Sequence, residues 1–375
     1  MEEQKKIIPF RNPRRERWRL GLFFGILGVL ILVLIFFAVD EGRNRDAVSR
    51  FFSYGNEDLT LELSGPVDTA AVLDGNLATV GKDGVTLYDR DGKIQFLAAA
   101  GFSAPVVFTD NGMLLAYDAG GTELVLLNDS GKLLLEDSGA GPIFDADMAS
   151  DGSVACTTGG DRDKSRLQVY DREQLPCYTV YSATRFLTTC AVSPGAGYVC
   201  AVALGETDGG FQSFAVIYRT DREEPVAEVP LGSQLIYDMR FWGKDRICAL
   251  GENGMVVFDT AGKLLGTYAY TGLEAYCLEG DDFAALTLRS GSDYRLVTVD
   301  YKGRELGSRE LGQSPGAVDV NGKYVAVLQN GTLTIGGRKL DTWYEARELF
   351  GDLVRITGNG AVYMIENQTA RRFLP

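Results

Sequence analysis

An apolar strand that recurs about every forty residues, each time running into a tight polar turn, predicts an all-β propeller over most of this chain. A separate uncharged run near the start predicts a single transmembrane α-helix ahead of it. Composition agrees with the first reading. There are 45 Gly but only 11 Pro and no collagen period, so the glycines are expected at tight turns that need positive φ. The chain divides into a basic tail (1–19), a membrane helix (20–39), a juxtamembrane linker (40–58) and a propeller (59–375).

The tail carries seven bases (Lys5, Lys6, Arg11, Arg14, Arg15, Arg17, Arg19) against Glu2, Glu3 and Glu16. Leu20 to Val39 then runs without a charge. A helix of about 20 residues at ~1.5 Å each spans ~30 Å, the hydrocarbon thickness of a bilayer. Trp18 stands where aromatic rings favour the interface. A cleaved signal peptide has an apolar stretch of only ~7–15 residues followed by a small-residue cleavage site. Here the run is longer, and Phe36-Phe37-Ala38-Val39-Asp40-Glu41-Gly42 has no A-x-A pattern. The basic flank precedes the helix, which places the N-terminus in the cytoplasm and the C-terminal domain outside. Gly21 and Gly25 form a G-x-x-x-G pair, read here as the ordinary glycine content of membrane helices. In the linker, Val48, Phe51 and Phe52 fall at i, i+3, i+4 and predict a short helix with one apolar face, packed on the body or on lipid.

From residue 59 onward, short strands alternate with turns. Val85-Thr86-Leu87-Tyr88-Asp89-Arg90-Asp91-Gly92-Lys93 returns as Leu124–Lys132 and as Met255–Lys263, with further copies at Leu167–Asp171, Ala215–Arg219 and Leu296–Gly303. Weaker copies lie at Thr332–Gly336 and Ala370–Leu374. The strand ends at Tyr88, Leu127, Tyr170, Tyr218, Phe258, Val299, Ile335 and Leu374 are spaced by 39, 43, 48, 40, 41, 36 and 39 residues. Eight copies predict eight blades, with seven as the alternative. Asp74-Gly75, Asn111-Gly112 and Asn321-Gly322 mark hairpins upstream. The last repeat supplies three strands before the chain stops, so Leu59–Leu63 is expected to complete it as the outermost strand and close the ring.

Ala191-Val192-Ser193-Pro194-Gly195-Ala196-Gly197-Tyr198-Val199-Cys200-Ala201 resembles the S-P-D-G-x-x-[ILV]-A hairpin of WD-repeat and related bacterial propellers. Val169-Tyr170-Asp171 and Val257-Phe258-Asp259 stand where those repeats carry Trp-Asp, although the Trp and the Gly-His dipeptide are missing. The resemblance therefore extends to propellers broadly, quinoprotein-like repeats included. The whole layout is similar to a bacterial family of membrane-anchored propellers of unknown function. That resemblance implies architecture and an envelope setting, but no activity.

The formal charge is −14, and since the tail is basic the rest of the chain is more acidic still. This argues against nucleic acid as a partner. The sequence has no His, which removes the commonest general base and metal ligand. Asp89-Arg90-Asp91-Gly92 is half of a calcium loop, but the later ligands are missing and sister copies replace the acids, so it reads as a hairpin turn with a Gly bulge. None of the six cysteines forms C-x-x-C. Cys190 and Cys200 flank the Pro194–Gly197 turn and are the one candidate pair for a disulfide, although cross-strand geometry is often strained. No spacing singles out a catalytic residue, a metal site or a cofactor. The leading expectation is a non-enzymatic protein-binding or scaffold module of the cell envelope. The alternatives are a propeller enzyme (lyase, hydrolase or quinone-dependent dehydrogenase) and a sensor ectodomain.

A propeller's outermost strand begins on the face that carries the first-to-second and third-to-fourth turns. If Leu59–Leu63 is such a strand, the linker arrives on that face and the second-to-third connections point away from the membrane. These connections differ most in length. Gly159–Ser165 in blade three and Gly205–Gln212 in blade four are the long ones, and variable length on one face of a repeat array marks a binding side. Arg162, Lys164, Glu206, Asp208 and Phe211 are the candidate contacts.

Overall fold

The computed structural model describes residues 13–38, 42–55, 58–137, 141–207 and 209–375, without the side chains of 13–22, 25, 37, 38, 136 and 137. The chain forms two units, Met1–Gly55 and Asn56–Pro375. In the first, α1 (Pro13–Ala38) is followed by α2 (Arg43–Tyr54). Gly42, at φ 79°, precedes α2, and Asn44 Nδ2 donates to the Phe36 carbonyl at 2.8 Å, which ties the first turn of α2 to the end of α1. Among the described residues no helix is long and apolar enough to cross a membrane. The described side chains of α1 cover only 23–24 and 26–36, short of the twenty-residue run in the sequence. The surroundings of Gly21 and Gly25 lie outside the described residues.

The second unit is a ring of eight four-stranded antiparallel sheets. The innermost strands are Thr69–Leu73, Pro105–Asp110, Ile143–Met148, Phe186–Val192, Ile236–Trp242, Leu273–Cys277, Ala317–Asn321 and Leu353–Ile356, one for each of blades one to eight. The eight-blade expectation is met. Hairpin chemistry explains why the chain turns where it does. Asp74 and Gly75 both hold positive φ (49° and 84°), as a two-residue type I′ turn requires. The repeated Asp-x-x-Gly-Lys signature builds a second kind of corner. Asp89 Oδ1 accepts the N–H groups of Asp91 (2.9 Å) and Lys93 (2.8 Å), Gly92 takes φ 84°, and the ladder to the next strand slips by one residue. Asn128, Asp171, Asp259 and Asp300 repeat this corner in blades two, three, five and six. The oxygen that a calcium loop would turn toward an ion is here turned toward backbone amides.

Each blade is too thin to bury its own faces, so the core lies between blades. It is divided into eight clusters, one at every blade–blade junction. The junction of blades eight and one contains the closing strand, Leu59–Glu62, which is the outermost strand of blade eight and pairs with Thr369–Phe373. Leu61 and Leu63 are buried there against Tyr88, Leu77 and Tyr363. Tyr363 Oη donates to the Gly75 carbonyl at 2.9 Å across the same junction.

Candidate partner-binding face and central channel

The register of the closing strand sets which face is which. Leu59 lies opposite Arg372, where the third strand of blade eight ends, so the chain enters the ring on the face of the first-to-second and third-to-fourth turns. The opposite face carries the second-to-third connections and the links between blades. In blade three the connection runs between strands ending at Gly159 and starting at Ser165. Blade four differs from the sequence reading. Residues taken as a loop extend two strands, Tyr198–Thr207 and Gly210–Arg219, with Gly205 opposite Gln212 and Glu206 opposite Phe211. Ten-residue strands where most blades use five or six raise this hairpin above the face by roughly four residues, ~13 Å. Blade six also has a raised hairpin, with eight-residue strands Phe283–Ser290 and Asp293–Asp300.

The blade-four hairpin stands free on both edges. Pairing with its inner neighbour stops at Phe186–Leu204, and pairing with its outer neighbour stops at Ser213–Gly232. At its base is a cavity of about 350 Å³ lined by Lys164, Phe186, Leu204, Glu206 and Phe211. Phe186 and Phe211 are 42% and 47% exposed, a large apolar surface left in water. Lys164 Nζ sits 5.2 Å from the Phe186 ring centroid. Three of the five candidate contacts, Lys164, Glu206 and Phe211, are thus brought together. Arg162 is exposed on the neighbouring connection and does not line the cavity. Asp208 lies outside the described residues. Phe186 carried no signal in the sequence beyond its place at the start of an inner strand.

The innermost strands surround a channel cavity of about 620 Å³. Their inner edges face no further strand, so their backbone groups need side-chain partners. Neighbouring blades supply them. Asp145 Oδ2 accepts the Cys190 N–H (2.9 Å), Asp147 Oδ2 the Val192 N–H (2.8 Å) and Asp319 Oδ2 the Ile356 N–H (2.7 Å). Thr109 Oγ1 and Arg355 Nε donate to the Val72 and Ala70 carbonyls. In blades three to six the inner strand slips register near its start, next to Asp145 in blade three and Asp238 in blade five, and Asp238 lines the channel.

Arg240 crosses the channel. It pairs with Asp147 (2.8 Å), lies 3.2 Å from Glu279 Oε1 and stacks 3.8 Å over the Phe108 ring. Burial opposes its charge, but Glu279, Asp147, Asp238 and Asp145 outweigh burial and hold its pKa well above the ordinary value. Burial pushes Asp145 up to about 7, helped by the charge of Asp238. It pushes Asp238 and Asp319 each to about 6. Tyr117 Oη donates to Asp145 at 2.7 Å, and its own pKa is driven up by burial and then by that carboxylate. These groups are arranged to hold blades together: most of their oxygens are spent on amides, a phenol and a guanidinium. Among the described residues no three His, Cys, Asp or Glu side chains are disposed to hold a metal ion.

Comparison with known proteins places the fold in a lineage. A family of unknown function, DUF5711, matches residues 59–366, most of the chain. The chain belongs to DUF5711. No curated protein matches the sequence. Among solved structures, the chain is similar to BamB from Moraxella catarrhalis (TM-score 0.54, 14% identity, 84% of this chain and 98% of that one). It is also similar to the C-terminal WD40 domain of Sif2 (TM-score 0.60, 11% identity, 84% and 97%). The Dos1 propeller is a third (TM-score 0.59, 8% identity, 84% and 93%). At these identities the likeness is one of fold.

The register of this DUF5711 chain rules out the candidate Cys190–Cys200 disulfide. Cys190 pairs with Ala201 and Cys200 with Ala191, so the two thiols point to opposite faces of blade four. Cys190 packs in the junction with blade three and Cys200 in the junction with blade five. A sheet lies between them, and neither is in a disulfide.

Proposed function

We propose that this protein is a single-pass membrane protein whose propeller lies outside the cytoplasm and acts as a non-enzymatic protein-binding scaffold of the cell envelope. The uncharged run Leu20–Val39 and the Lys/Arg excess before it support the anchor and its orientation. The observation that carries the binding reading is the raised blade-four hairpin, with both edges open and Phe186 and Phe211 exposed at its base. A free strand edge beside an apolar pocket suits an extended peptide segment of a partner: backbone hydrogen bonds supply affinity and the pocket reads a side chain. The channel is less suited to this role, because its charged groups are engaged with one another and with neighbouring backbone. The chain enters the ring on the face opposite the hairpin, so the entering segment leaves the hairpin uncovered.

The test is photocrosslinking in the native cell. A benzophenone amino acid at position 211 is expected to give one discrete adduct, while the same probe at Lys263, on the turn face, gives none. Equal adducts at both positions, or none at 211, overturn the assignment of the binding face.

A further inference from the structure

We infer that α2 lies in the headgroup layer of the membrane, a second contact with lipid that follows the span. This rests on the membrane reading of Leu20–Val39. Three observations point to it. Val48, Phe51 and Phe52 occupy one stripe of α2 and are 37%, 51% and 80% exposed, with the two phenyl rings packed edge to face at 5.6 Å. A stripe of this kind on a helix of twelve residues needs an apolar medium on one side only, which is the condition at an acyl–headgroup boundary. The second observation is the bond from Asn44 Nδ2 to the Phe36 carbonyl. Phe36 belongs to the apolar run itself, so the first turn of α2 is held level with the end of that run rather than carried into solvent. The third is charge. In a chain of net charge −14, α2 carries Arg43, Arg45 and Arg50 against Asp46 alone. A locally basic helix on an acidic protein is complementary to anionic lipid headgroups, and Arg45 presents a side chain that is 74% exposed. The occupant of this face is therefore a bilayer containing anionic lipid.

The full chain, reconstituted into vesicles of phosphatidylcholine with phosphatidylglycerol, tests this by electron paramagnetic resonance. Spin labels are placed singly by Phe52→Cys and Ser53→Cys in a Cys177→Ser background. The label at 52 is expected to collide more with dissolved oxygen than with a water-soluble nickel chelate, and the label at 53, on the far side of the helix from the stripe, to show the reverse. Replacing Arg43, Arg45 and Arg50 by Gln is expected to shrink that difference in phosphatidylglycerol vesicles and to leave it unchanged in pure phosphatidylcholine. Equal nickel accessibility at 52 and 53 overturns the inference, as does a label at 52 shielded from both reagents, which would mean that protein covers the stripe. Loss of the charge dependence overturns the anionic-lipid part. Extraction of the intact chain from the vesicles at alkaline pH would overturn the anchor reading itself, a result separate from all of these.

Discussion

Single residues set the pH behaviour of the ring. Asp145, Asp238 and Asp319 have folded-state pKa values above the ordinary carboxylate value of 3.8, at about 7, 6 and 6. The folded state therefore binds more protons than the unfolded chain between about pH 4 and 7, and linkage makes stability fall as pH rises through that window. The stabilising contribution is whole below the unfolded pKa and is lost by pH 8. Urea midpoints of the propeller are expected to be higher at pH 5 than at pH 8. Asp145→Asn keeps the shape, removes the buried charge and is expected to flatten the slope by roughly 1–2 kcal/mol. An unchanged slope would mean that Asp145 titrates as an ordinary carboxylate. None of this was legible in the sequence. Asp147 and Arg240 are 93 positions apart, and Tyr117 and Asp145 are 28 apart, because the ring brings together strands that chain distance keeps separate.

At the scale of elements, turns were the most legible feature and register the least. The Asp-x-x-Gly-Lys corner could be read directly because its mechanism is local: one side-chain oxygen and one positive-φ glycine complete it. The closing strand was legible for a different reason, since a final repeat one strand short leaves Leu59–Leu63 as the only spare. The blade-four hairpin was misread because Gly205, Gly209 and Gly210 suggest a loop, whereas a two-residue connection between alternating strands makes a hairpin. The cysteine pair could not be decided from the sequence because a one-residue shift in register moves a side chain to the other face. The closing strand makes a direct prediction. Leu61 is 3% exposed in the junction of blades eight and one. Leu61→Ala is expected to cost about 2–4 kcal/mol and to shift a single, global unfolding transition in a calorimetric or urea measurement. A separate early transition with the main one unmoved would show that blade eight opens independently of the ring.

At the scale of the molecule, a basic tail, an apolar run and an acidic ring follow one another along the chain, and the proposed topology comes from that order. Protease added to intact cells or spheroplasts is expected to digest the propeller and to leave only a small fragment containing the tail and span. Survival of the propeller until lysis would reverse the orientation. The ring itself was legible from its period near forty, and the inner strands, bulges and channel were not, because a repeat announces its turns more clearly than the side chains that meet at its axis.

The closure of the ring has a consequence for biosynthesis. Leu59–Glu62 is the first strand of the ring to leave the ribosome, and its partner, Thr369–Phe373, is the last strand of the ring. At ~5–20 residues per second, the two are made on the order of 15–60 s apart. Over that interval seven blades are completed one after another while the junction of blades eight and one stays unfinished, and Leu61 and Leu63 lack Tyr363, Ile365 and Ala370, their partners from blade eight. The nascent propeller stays an open arc until Thr369–Phe373 has been made, so any message truncated before residue 369 yields a chain whose free edges invite quality control rather than a slightly smaller ring.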